Sequence, residues 1–544
     1  MRAFAHLLDR LSLTASRNTK LTLARDFLRN TSDPDRGWAL AALCGELTFK
    51  AAKPAAIRTA IEARMDATLF AWSYDYVGDL AETVALAWPG RAGANRAPEL
   101  SEVVDALAVA RRAEVPVLIE SWLDALDADG RWALLKLVTG GLRVGLSSRL
   151  ARQSLADLGG VSVSDIEELW HGLTPPYGEL FAWLEGRGER PAADTPGRFR
   201  PVMLAQAIDE ATDFPRLDPA DYAAEWKWDG IRVQAVNERG QRRLFTRTGD
   251  EISAAFPDVV AALEFEGVID GELLVMRNGA VGSFSELQQR LNRKTADAKL
   301  MASYPAGIRA YDLLLEGEVD VRNLPFRHRR GRLETFIGGI IGGCVDLSPL
   351  QPFADWDQLA ALRIGPPDGD ASRAEGLMIK RWDSPYLAGR PKGPWFKWKR
   401  DPHLIDAVLM YAQRGHGKRS GVYSDFTFGV WREHAAGVGR ALTPVGKAYF
   451  GFTDDELKLL DAFVRENTIE KFGPVRSVRA DGEVGLVLEV AFEGLQRSSR
   501  HKSGLAMRFP RINRIRWDKP PRDADELATL ERLLFQSAGG TVSR

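Results

Sequence analysis

The spacing of apolar residues changes once along this chain, and this change limits the possible folds more than any other feature. Up to about residue 185, apolar residues recur at helical spacing, for example at Leu21, Leu23, Phe27 and Leu28. Beyond residue 201 they form short β-type runs such as 231–236 and 267–275, which alternate with helical patterns such as 284–293. A helical domain followed by a mixed α+β domain is therefore expected.

Residues 186–201 separate the two patterns. They are rich in Gly, Pro and charged residues and have no apolar periodicity, which is typical of a linker between domains. A third region follows residue 399, where strand-like runs cover 405–412, 426–431 and 484–494. A helix is predicted to begin at the Thr453–Glu456 capping box, in which each side chain can bond to the other residue's backbone N–H.

The length of the chain fits this division. Its 544 residues have room for about three or four domains. Several strands with one helix in the third region fit a small barrel such as an OB-fold. We predict a multidomain fold with an all-α N-terminal domain, an α+β domain and a β-barrel OB-fold domain, covering 1–190, 200–399 and 400–544 respectively.

Composition narrows the class of protein. No run approaches the roughly 18 apolar residues that span a bilayer, so no membrane partner is expected. The start of the chain lacks the apolar core of a secretory signal, so we expect a cytoplasmic protein, nucleoid-associated if it is prokaryotic. Cys44 and Cys344 cannot form a four-cysteine zinc module, and any metal should be a hard cation held by carboxylates and phosphates.

Positive charge is concentrated in two stretches although the net charge of the chain is only -1. Basic residues greatly outnumber acidic ones in 376–420 and again in 496–519. Such segregation predicts a local surface that binds a polyanion. A solvated charged face would give the same pattern.

The residues from Glu225 to Arg232 carry the strongest chemical signal. Lys227 lies between two tryptophans, which remove part of its hydration and disfavour the ammonium form. An ordinary lysine has a pKa near 10.4, so only about one in 2,500 is neutral at pH 7, and a nucleophilic lysine needs such an environment. Taken alone, Lys227 is better explained as a partly exposed strand residue, but charged residues interleaved with two tryptophans and a glycine are unusual for a surface strand.

The string KWDGIR at 227–232 resembles the K-x-D-G-x-R signature of covalent nucleotidyltransferases, the superfamily of DNA ligases, RNA ligases and mRNA capping enzymes. Further segments resemble the later motifs of this superfamily, in the same order along the chain: 245–252, 268–275, 309–315, 375–381, 395–400 and 508–519. Together the matches resemble ATP-dependent DNA ligases over nearly the whole chain, most weakly in the first domain.

This resemblance implies roles for the lysines. Lys227 would attack the α-phosphate of ATP and form a lysyl–AMP phosphoramidate, with loss of pyrophosphate. Lys397 and Lys399 alternate with aromatic residues, which places both cations on one face of a strand, and the resemblance assigns them to the α-phosphate. Without it, they could be a snorkelling pair on an amphipathic edge.

The resemblance also assigns the metal and nucleoside contacts. Glu375 would bind Mg²⁺ or Mn²⁺, and Glu272 would meet the ribose or a second metal, since carboxylates with substrate phosphates suit such ions. Tyr311 would stack on adenine. Glu225 would meet the adenine, Arg232 the ribose and Arg247 a phosphate. Considered singly, the glutamates could be surface residues and Tyr311 a core residue.

The remaining assignments concern pyrophosphate and DNA. Arg508, Arg511 and Lys519 resemble the motif that orients pyrophosphate, with a hinge near Lys399–Asp401 that lets the third domain move. Lys418 and Arg419 lie between glycines, which allows close approach to DNA phosphates. Arg143, in the glycine-containing stretch 138–153, resembles a minor-groove contact, although these glycines could also serve helix packing.

The function implied is the sealing of 3′-OH/5′-phosphate nicks in duplex DNA, by a monomer that encircles its substrate and whose protein partners the sequence does not reveal. A capping enzyme would use GTP and RNA, but the 375–381 string and the large helical domain at the N-terminus fit a DNA ligase better. An NAD-dependent ligase usually carries a four-cysteine zinc module. An inactive nucleic-acid clamp would have no need for the matched set of Lys227, Glu375, Lys397 and Lys399.

Overall fold

A computed structural model describes residues 1–91, 96–192, 195–277, 279–291, 293, 295–340, 343–415, 422–433 and 439–537. The chain forms two compact units. One unit is Arg152–Arg400, and the other combines Met1–Ala151 with Asp401–Arg544. Within the described ranges, no helix has both the length and the apolar character needed to cross a membrane.

The N-terminal region is helical, as predicted. Its helices are α1 (Arg2–Leu13), α2 (Arg17–Asn30), α3 (Asp35–Cys44), α4 (Pro54–Glu62), α5 (Ala67–Val77), α6 (Leu80–Ala87), α7 (Leu100–Val109), α8 (Val115–Ala125), α9 (Ala128–Thr139), α10 (Ser148–Gly159), α11 (Val163–Trp170) and α12 (Gly178–Leu184). Two of the leucines that set the helical period, Leu23 and Leu28, are buried. Short polar side chains begin several helices, as where Ser16 accepts a hydrogen bond from the backbone of Thr19.

The Arg152–Arg400 unit contains α11, α12 and a mixed α+β region. Its strands are β1 (Gln206–Ala207), β2 (Tyr222–Trp226), β3 (Ile231–Glu238), β4 (Gln241–Thr246), β5 (Gly267–Arg277), β6 (Ala280–Val281), β7 (Ala306–Glu316), β8 (Val319–Asp320), β9 (Val345–Leu347), β10 (Leu350–Gln351), β11 (Gly376–Arg381) and β12 (Trp395–Lys399). Its further helices are α13 (Pro257–Ala261), α14 (Phe284–Leu291), α15 (Ala298–Ser303), α16 (Phe326–Gly338) and α17 (Trp356–Ile364). The β-type runs at 231–236 and 267–275 and the helix at 284–293 are thus confirmed.

The strands of this unit form two sheets. The first has the order β1-β12-β11-β2-β10, and the second has the order β4-β3-β5-β7-β8, with β6 and β9 paired to β5 and β7. In the second sheet Arg232 on β3 lies directly opposite Glu272 on β5. Apolar side chains of this sheet pack with α13 and α16 around Phe256, Leu333 and their neighbours. The sequence motifs therefore lie on strands held by a continuous apolar core.

The segment predicted as a linker, 186–201, contains no helix or strand in its described residues. It is nevertheless fixed to the unit around it. Arg200 forms two hydrogen bonds to the carboxylate of Glu238 on β3, at 2.6 and 2.9 Å. The backbone N–H of Arg200 also donates to Gln234 at 2.6 Å.

The C-terminal region is rich in β-structure. Its elements are β13 (His403–Arg414), β14 (Tyr423–Glu433), β15 (Arg440–Ala448), α18 (Asp454–Glu466), β16 (Thr468–Phe472), β17 (Val475–Val478), β18 (Val487–Phe492), β19 (Gly494–Arg497), β20 (Leu505–Arg508), β21 (Arg511–Arg516) and α19 (Leu527–Ser537). The first half of β13 pairs with β18 and its second half with β17, so this sheet is curled. The capping box of Thr453 and Glu456 at the start of α18 is confirmed. Helix α19 was not predicted.

Candidate active site

A cavity of about 480 Å³ lies in the Arg152–Arg400 unit, and residues from both sheets line it. Most of the residues that the sequence singled out meet there: Glu225, Lys227, Arg232, Arg247, Glu272, Tyr311, Glu375, Lys397 and Lys399. They come from β2, β3, β5, β7, β12 and the turns beside them, far apart in sequence. The alternative interpretations of Tyr311 as a core residue and of both glutamates as isolated surface residues are therefore wrong.

Lys227 and Glu375 are held together by the backbone. Lys227 follows β2, and its N–H donates to the carbonyl of Gly376 at 2.9 Å. In return the N–H of Glu375 donates to the carbonyl of Lys227 at 2.7 Å. The side chains form an ion pair between Lys227 Nζ and Glu375 Oε2. The proposed nucleophile and the acid therefore occupy one fixed position at the ends of neighbouring strands.

Two glycines allow this close packing of strand ends. A Cβ on Gly230 would lie 2.4 Å from the carbonyl oxygen of Leu273. A Cβ on Gly376, whose φ is +141°, would lie 2.2 Å from the carbonyl oxygen of Trp398. Both contacts are with backbone, which cannot move aside easily, so glycine is required at each position.

Arg232 is anchored below the cavity by Asp270. Its guanidinium donates two hydrogen bonds to the Asp270 carboxylate, at 3.0 and 2.6 Å, and a third to the hydroxyl of Tyr386 at 3.1 Å. Burial acts to lower the pKa of Arg232, but Asp270 and the two tyrosines Tyr311 and Tyr386 outweigh it and raise this pKa well above its ordinary value. Arg232 is therefore a permanent, rigidly oriented cation.

Glu272 has an unusual electrostatic environment. Burial raises the pKa of its carboxyl to about 8, and the negative charges of Glu375 and Asp270 act in the same direction, while Lys227 and Arg232 oppose them. Two neighbouring carboxylates beside several cations form a donor set that would suit a divalent cation bound together with phosphate. In the described part of the chain, no group of three or more His, Cys, Asp and Glu side chains could hold a metal.

Lys397 and Lys399 extend from the same face of β12 into the cavity, as their alternation predicted. Lys399 Nζ lies 3.7 Å from Glu375 Oε2. The pKa of Lys397 is lowered, first by burial and then by the neighbouring cations Arg390, Lys399, Lys227 and Arg247. This concentration of positive charge would be stabilised by a bound anion.

The opposite end of the cavity is aromatic and contains a buried acid. Glu225 is 1% exposed, and its Oε2 accepts no hydrogen bond from the described residues, with Arg330 3.9 Å away. Lys380 Nζ lies 2.6 Å from Glu225 Oε1, and it also lies 4.6 Å from the ring centre of Tyr311. Burial raises the pKa of the Tyr311 hydroxyl well above its usual value. A ligand with hydrogen-bond donors could satisfy the free acceptor capacity of Glu225.

Arg247 reaches the cavity from a turn after β4. Thr246 and Thr248 line the cavity beside it, and their hydroxyl oxygens are 3.0 Å apart. The His171 ring packs beneath this turn, because a Cβ on Gly249 would lie 2.7 Å from His171 Cε1. The ring also makes an edge contact with Phe199 at 4.9 Å between centres. The turn is therefore supported from the segment after α11.

Some predicted residues belong to the other compact unit. Arg508 ends β20, where its guanidinium lies 5.2 Å from the ring centre of Phe509. Arg511 begins β21 and lies 3.9 Å from Glu493, while Lys519 Nζ lies 2.7 Å from Asp406. Arg143 is exposed in the loop after α9. Lys418 and Arg419 lie outside the described residues.

Three residues at the site were missed from the sequence. Lys380 lies within the 375–381 string, but the charged and exposed Arg381 follows it directly, so the sequence pattern did not reveal its burial on β11. Asp270 lies in a β5 run that is otherwise mostly apolar on both faces, which is the sequence feature that could have marked it as a buried acid. No signal in the sequence identified Arg390, which lines the cavity beyond the end of β11.

Lysines and arginines that line one cavity together with three carboxylates are typical of an enzyme that handles a nucleotide or another polyphosphate. Comparison with known proteins narrows this class. The domain described as "ATP dependent DNA ligase domain" matches residues 202–399, and the "ATP dependent DNA ligase C terminal region" matches residues 419–519.

Relatives and a solved structure agree with these matches. A "Probable DNA ligase" of Koribacter versatilis is 31% identical, with 98% of this chain and 96% of the relative aligned. "DNA ligase 1" of Korarchaeum cryptofilum is 30% identical, over 98% of this chain and 97% of the relative. The solved structure named "Pmar-Lig_PreS3" shares the fold with a TM-score of 0.59 and 14% identity, over 94% of this chain and 99% of the other. The chain belongs to the ATP-dependent DNA ligase family.

Proposed function

We propose that Lys227 is the residue that carries AMP during nick sealing by this ligase. The observation that supports this most directly is the fixed pairing of Lys227 with Glu375 in a cavity that Lys397 and Lys399, from β12 of the same sheet, also line. A pure DNA clamp would not need a lysine, an acid and two further cations at one point. Positioning and charge stabilisation are the main contributions that a protein makes to phosphoryl transfer.

The first step is the attack of Lys227 Nζ on the α-phosphorus of ATP. A P–N bond forms, the bond to the bridging oxygen breaks, and pyrophosphate leaves with that oxygen. The ammonium must first lose a proton, and Glu375 Oε2 is the paired atom that can accept it. Lys397 and Lys399 would stabilise the negative charge that develops on the α-phosphate oxygens.

The later steps take place on DNA. The 5′-phosphate oxygen at the nick attacks the phosphorus of lysyl–AMP and releases Lys227. The 3′-hydroxyl oxygen then attacks the 5′-phosphorus, a phosphodiester forms, and AMP leaves. The same cations serve each attack, because each one develops negative charge on a phosphate.

The nucleoside would occupy the aromatic end of the cavity. The unsatisfied Oε2 of Glu225 matches the amino group of adenine, and Tyr311 offers a ring for stacking. Arg232 would contact the ribose and Arg247 a phosphate of ATP or DNA. Arg508, Arg511 and Lys519 would orient pyrophosphate.

A divalent cation fits the acidic side of the cavity. The repulsion between Glu272 and Glu375 would be relieved by such an ion, and these two carboxylates would hold Mg²⁺ or Mn²⁺ together with phosphate oxygens. When bound, the ion would neutralise part of the phosphate charge. Lys227, Glu375, Lys397 and Lys399 would keep the same positions in all three steps.

The C-terminal β-region is proposed to be an OB-fold, since β13 pairs with different strands along its length as in a closed barrel. With Arg143, Lys418 and Arg419, it would bind the duplex around the nick. A monomer bound to one nicked duplex is the expected species. Light scattering of the free protein and of the complex would measure this.

Intact-protein mass spectrometry tests the nucleophile. Wild type, Lys227→Ala and the control Lys458→Ala, an exposed lysine on α18, are incubated with Mg²⁺ and either ATP, GTP or NAD. We expect an AMP adduct from ATP alone in wild type and control, and none in Lys227→Ala. An adduct in Lys227→Ala would overturn the assignment. A wild type that forms no adduct, after pre-bound AMP is removed with pyrophosphate, would favour the inactive clamp.

A further inference from the structure

The loop between α9 and α10, residues 140–147, is tied down by a lysine far away in sequence. Lys20 on α2 is only 9% exposed. Its Nζ donates to the carbonyl oxygen of Val144 at 3.1 Å and to that of Gly145 at 2.9 Å. A buried ammonium that uses its hydrogens on two consecutive carbonyls holds the backbone at this point in one conformation.

The direction of these carbonyls decides what the loop presents outward. In a trans peptide the C=O and the following N–H point in opposite directions. The N–H groups of Gly145 and Leu146 therefore point away from Lys20. Gly145 and Arg143 are both exposed. The outer side of the loop thus combines backbone donors with a guanidinium.

The loop conformation depends on this arrangement. Arg143 has a φ of +46°, which is uncommon for a residue with a side chain and persists only where the surroundings impose it. Gly145 has a φ of +68°, and a Cβ there would lie 2.2 Å from Lys20 Nζ. A residue with a Cβ at position 145 would have to displace the Lys20 ammonium, and the positive φ there also favours glycine.

We propose that Lys20 is a positioning residue that holds the α9–α10 loop ready to bind the phosphodiester backbone of duplex DNA. The ligand is a pair of phosphate oxygens, contacted by the guanidinium of Arg143 and the N–H groups of Gly145 and Leu146. The Lys20 ammonium adds a positive charge beneath the loop, and its attraction for phosphate acts over several ångströms. This proposal rests on the proposed DNA contact of Arg143.

The experiment measures the affinity for a fluorescently labelled nicked duplex by anisotropy, at several salt concentrations. Lys20→Met keeps the length and apolar stem of the side chain but removes the donors and the charge. We expect binding at least tenfold weaker than wild type, with the slope of log affinity against log salt reduced by about one to two. Lys458→Met, an exposed lysine already paired with Asp455, is the control and should bind like wild type.

Two further variants separate positioning from charge. Lys20→Gln keeps a hydrogen-bond donor without charge, so we expect affinity between wild type and Lys20→Met. Arg143→Ala should weaken binding by a similar factor. In the double variant Lys20→Met/Arg143→Ala, the loss of binding free energy should be much smaller than the sum of the two single losses, because both residues act through one loop. Wild-type affinity and salt slope in Lys20→Met, or full additivity in the double variant, would overturn the proposal.

Adenylylation without DNA is measured on the same samples. Lys20→Met should form lysyl–AMP within about twofold of the wild-type rate. A far-UV circular dichroism spectrum and a thermal unfolding curve like those of wild type show that its helical region has folded. Should Lys20→Met not fold, Lys20→Gln decides the outcome by the same affinity and slope. If wild type forms no lysyl–AMP, the proposed function fails by itself, whereas the DNA affinities still test the role of Lys20.

Discussion

Lys227 and Glu375 are bonded to each other twice, through the backbone and through their side chains. The N–H of Glu375 donates to the carbonyl of Lys227 at 2.7 Å, and the Lys227 ammonium pairs with the Glu375 carboxylate. The two residues are 148 positions apart in sequence. The backbone hydrogen bond fixes the distance between the two Cα atoms. The ion pair therefore requires only that the two side chains adopt the right rotamers. The pair therefore has the rigidity that positioning of a nucleophile requires.

Glu375→Gln tests what this carboxylate does. If it were only a counter-ion, its removal would free the Lys227 amine and lysyl–AMP formation would accelerate. If the carboxylate accepts the proton and holds the metal ion, lysyl–AMP formation slows. We expect its rate to fall at least about 100-fold, which is the usual scale of general acid–base catalysis. Single-turnover adenylylation over a range of Mg²⁺ concentrations measures both the rate and the metal dependence. An unchanged or faster rate would contradict the proposed role.

Much of the cavity could be predicted from sequence because each motif is local. The run that became β12 and the first half of β3 alternate with a period of two, so the positions of Lys397 and Arg232 follow from the pattern itself. The run that became β5 is apolar on both faces, so Glu272 was identified by its motif and not by alternation. The Thr453 capping box is equally local, and the structure reproduces it.

What the sequence could not provide is the identity of partners across long distances. Nothing near Arg232 indicates that Asp270 will hold it, and nothing in α2 indicates that Lys20 will meet Val144 and Gly145. These contacts depend on strand register and helix packing, which one sequence does not specify. Helix α19 was missed for a different reason, since its apolar residues continue a β-rich region without a clear start signal.

The buried pair of Arg232 and Asp270 should be important for stability. Asp270 is fully buried, and its carboxylate accepts hydrogen bonds from both Arg232 and Tyr386. Asp270→Ala leaves the Arg232 guanidinium without its counter-ion. Removal of one partner of a buried ion pair lowers the free energy of unfolding by about 3–5 kcal/mol. Urea unfolding should show this loss. The matched control is Glu318→Ala, which breaks the exposed ion pair with Arg239 and should cost at most about 1 kcal/mol.

Gly230→Ala tests the packing of the strand ends. The new Cβ would lie 2.4 Å from the carbonyl oxygen of Leu273 and 2.8 Å from Cγ of Glu272, so β5 must shift. We expect a loss of about 1–3 kcal/mol in stability, as for overpacked positions, and a slower adenylylation because Glu272 moves with the strand. Thermal unfolding and single-turnover adenylylation measure the two effects.

The control for this substitution is Gly331→Ala. Gly331 is an exposed position within α16 where a Cβ would meet no atom within 4 Å. Alanine there should stabilise the protein by about 0.5–1 kcal/mol, because glycine is unfavourable within a helix. Wild-type adenylylation and stability in Gly230→Ala would show that the strands tolerate a side chain at this contact.

His171 should make the Arg152–Arg400 unit sensitive to acid. Burial lowers its pKa to about 4, and the nearby cations Arg152 and Arg198 act in the same direction, while Asp250 opposes them. Between pH 6.5, the ordinary value for histidine, and about 4 the unfolded chain binds a proton that the folded chain does not. Stability therefore falls as the pH decreases through this window. The total loss is about 3 kcal/mol, because a tenfold change in proton affinity corresponds to about 1.4 kcal/mol.

His171→Phe removes this ionisation but keeps an aromatic ring against Phe199 and the turn that carries Arg247. Between pH 7 and pH 5 the free energy of unfolding should decrease by about 2 kcal/mol less in the variant than in wild type, according to the same linkage relation. Urea unfolding at pH 7, 6 and 5 measures the difference. His328→Gln, which replaces an exposed histidine on α16, should retain the wild-type pH dependence. Equal acid sensitivity in His171→Phe and wild type would mean that His171 is not the group whose protonation opposes folding.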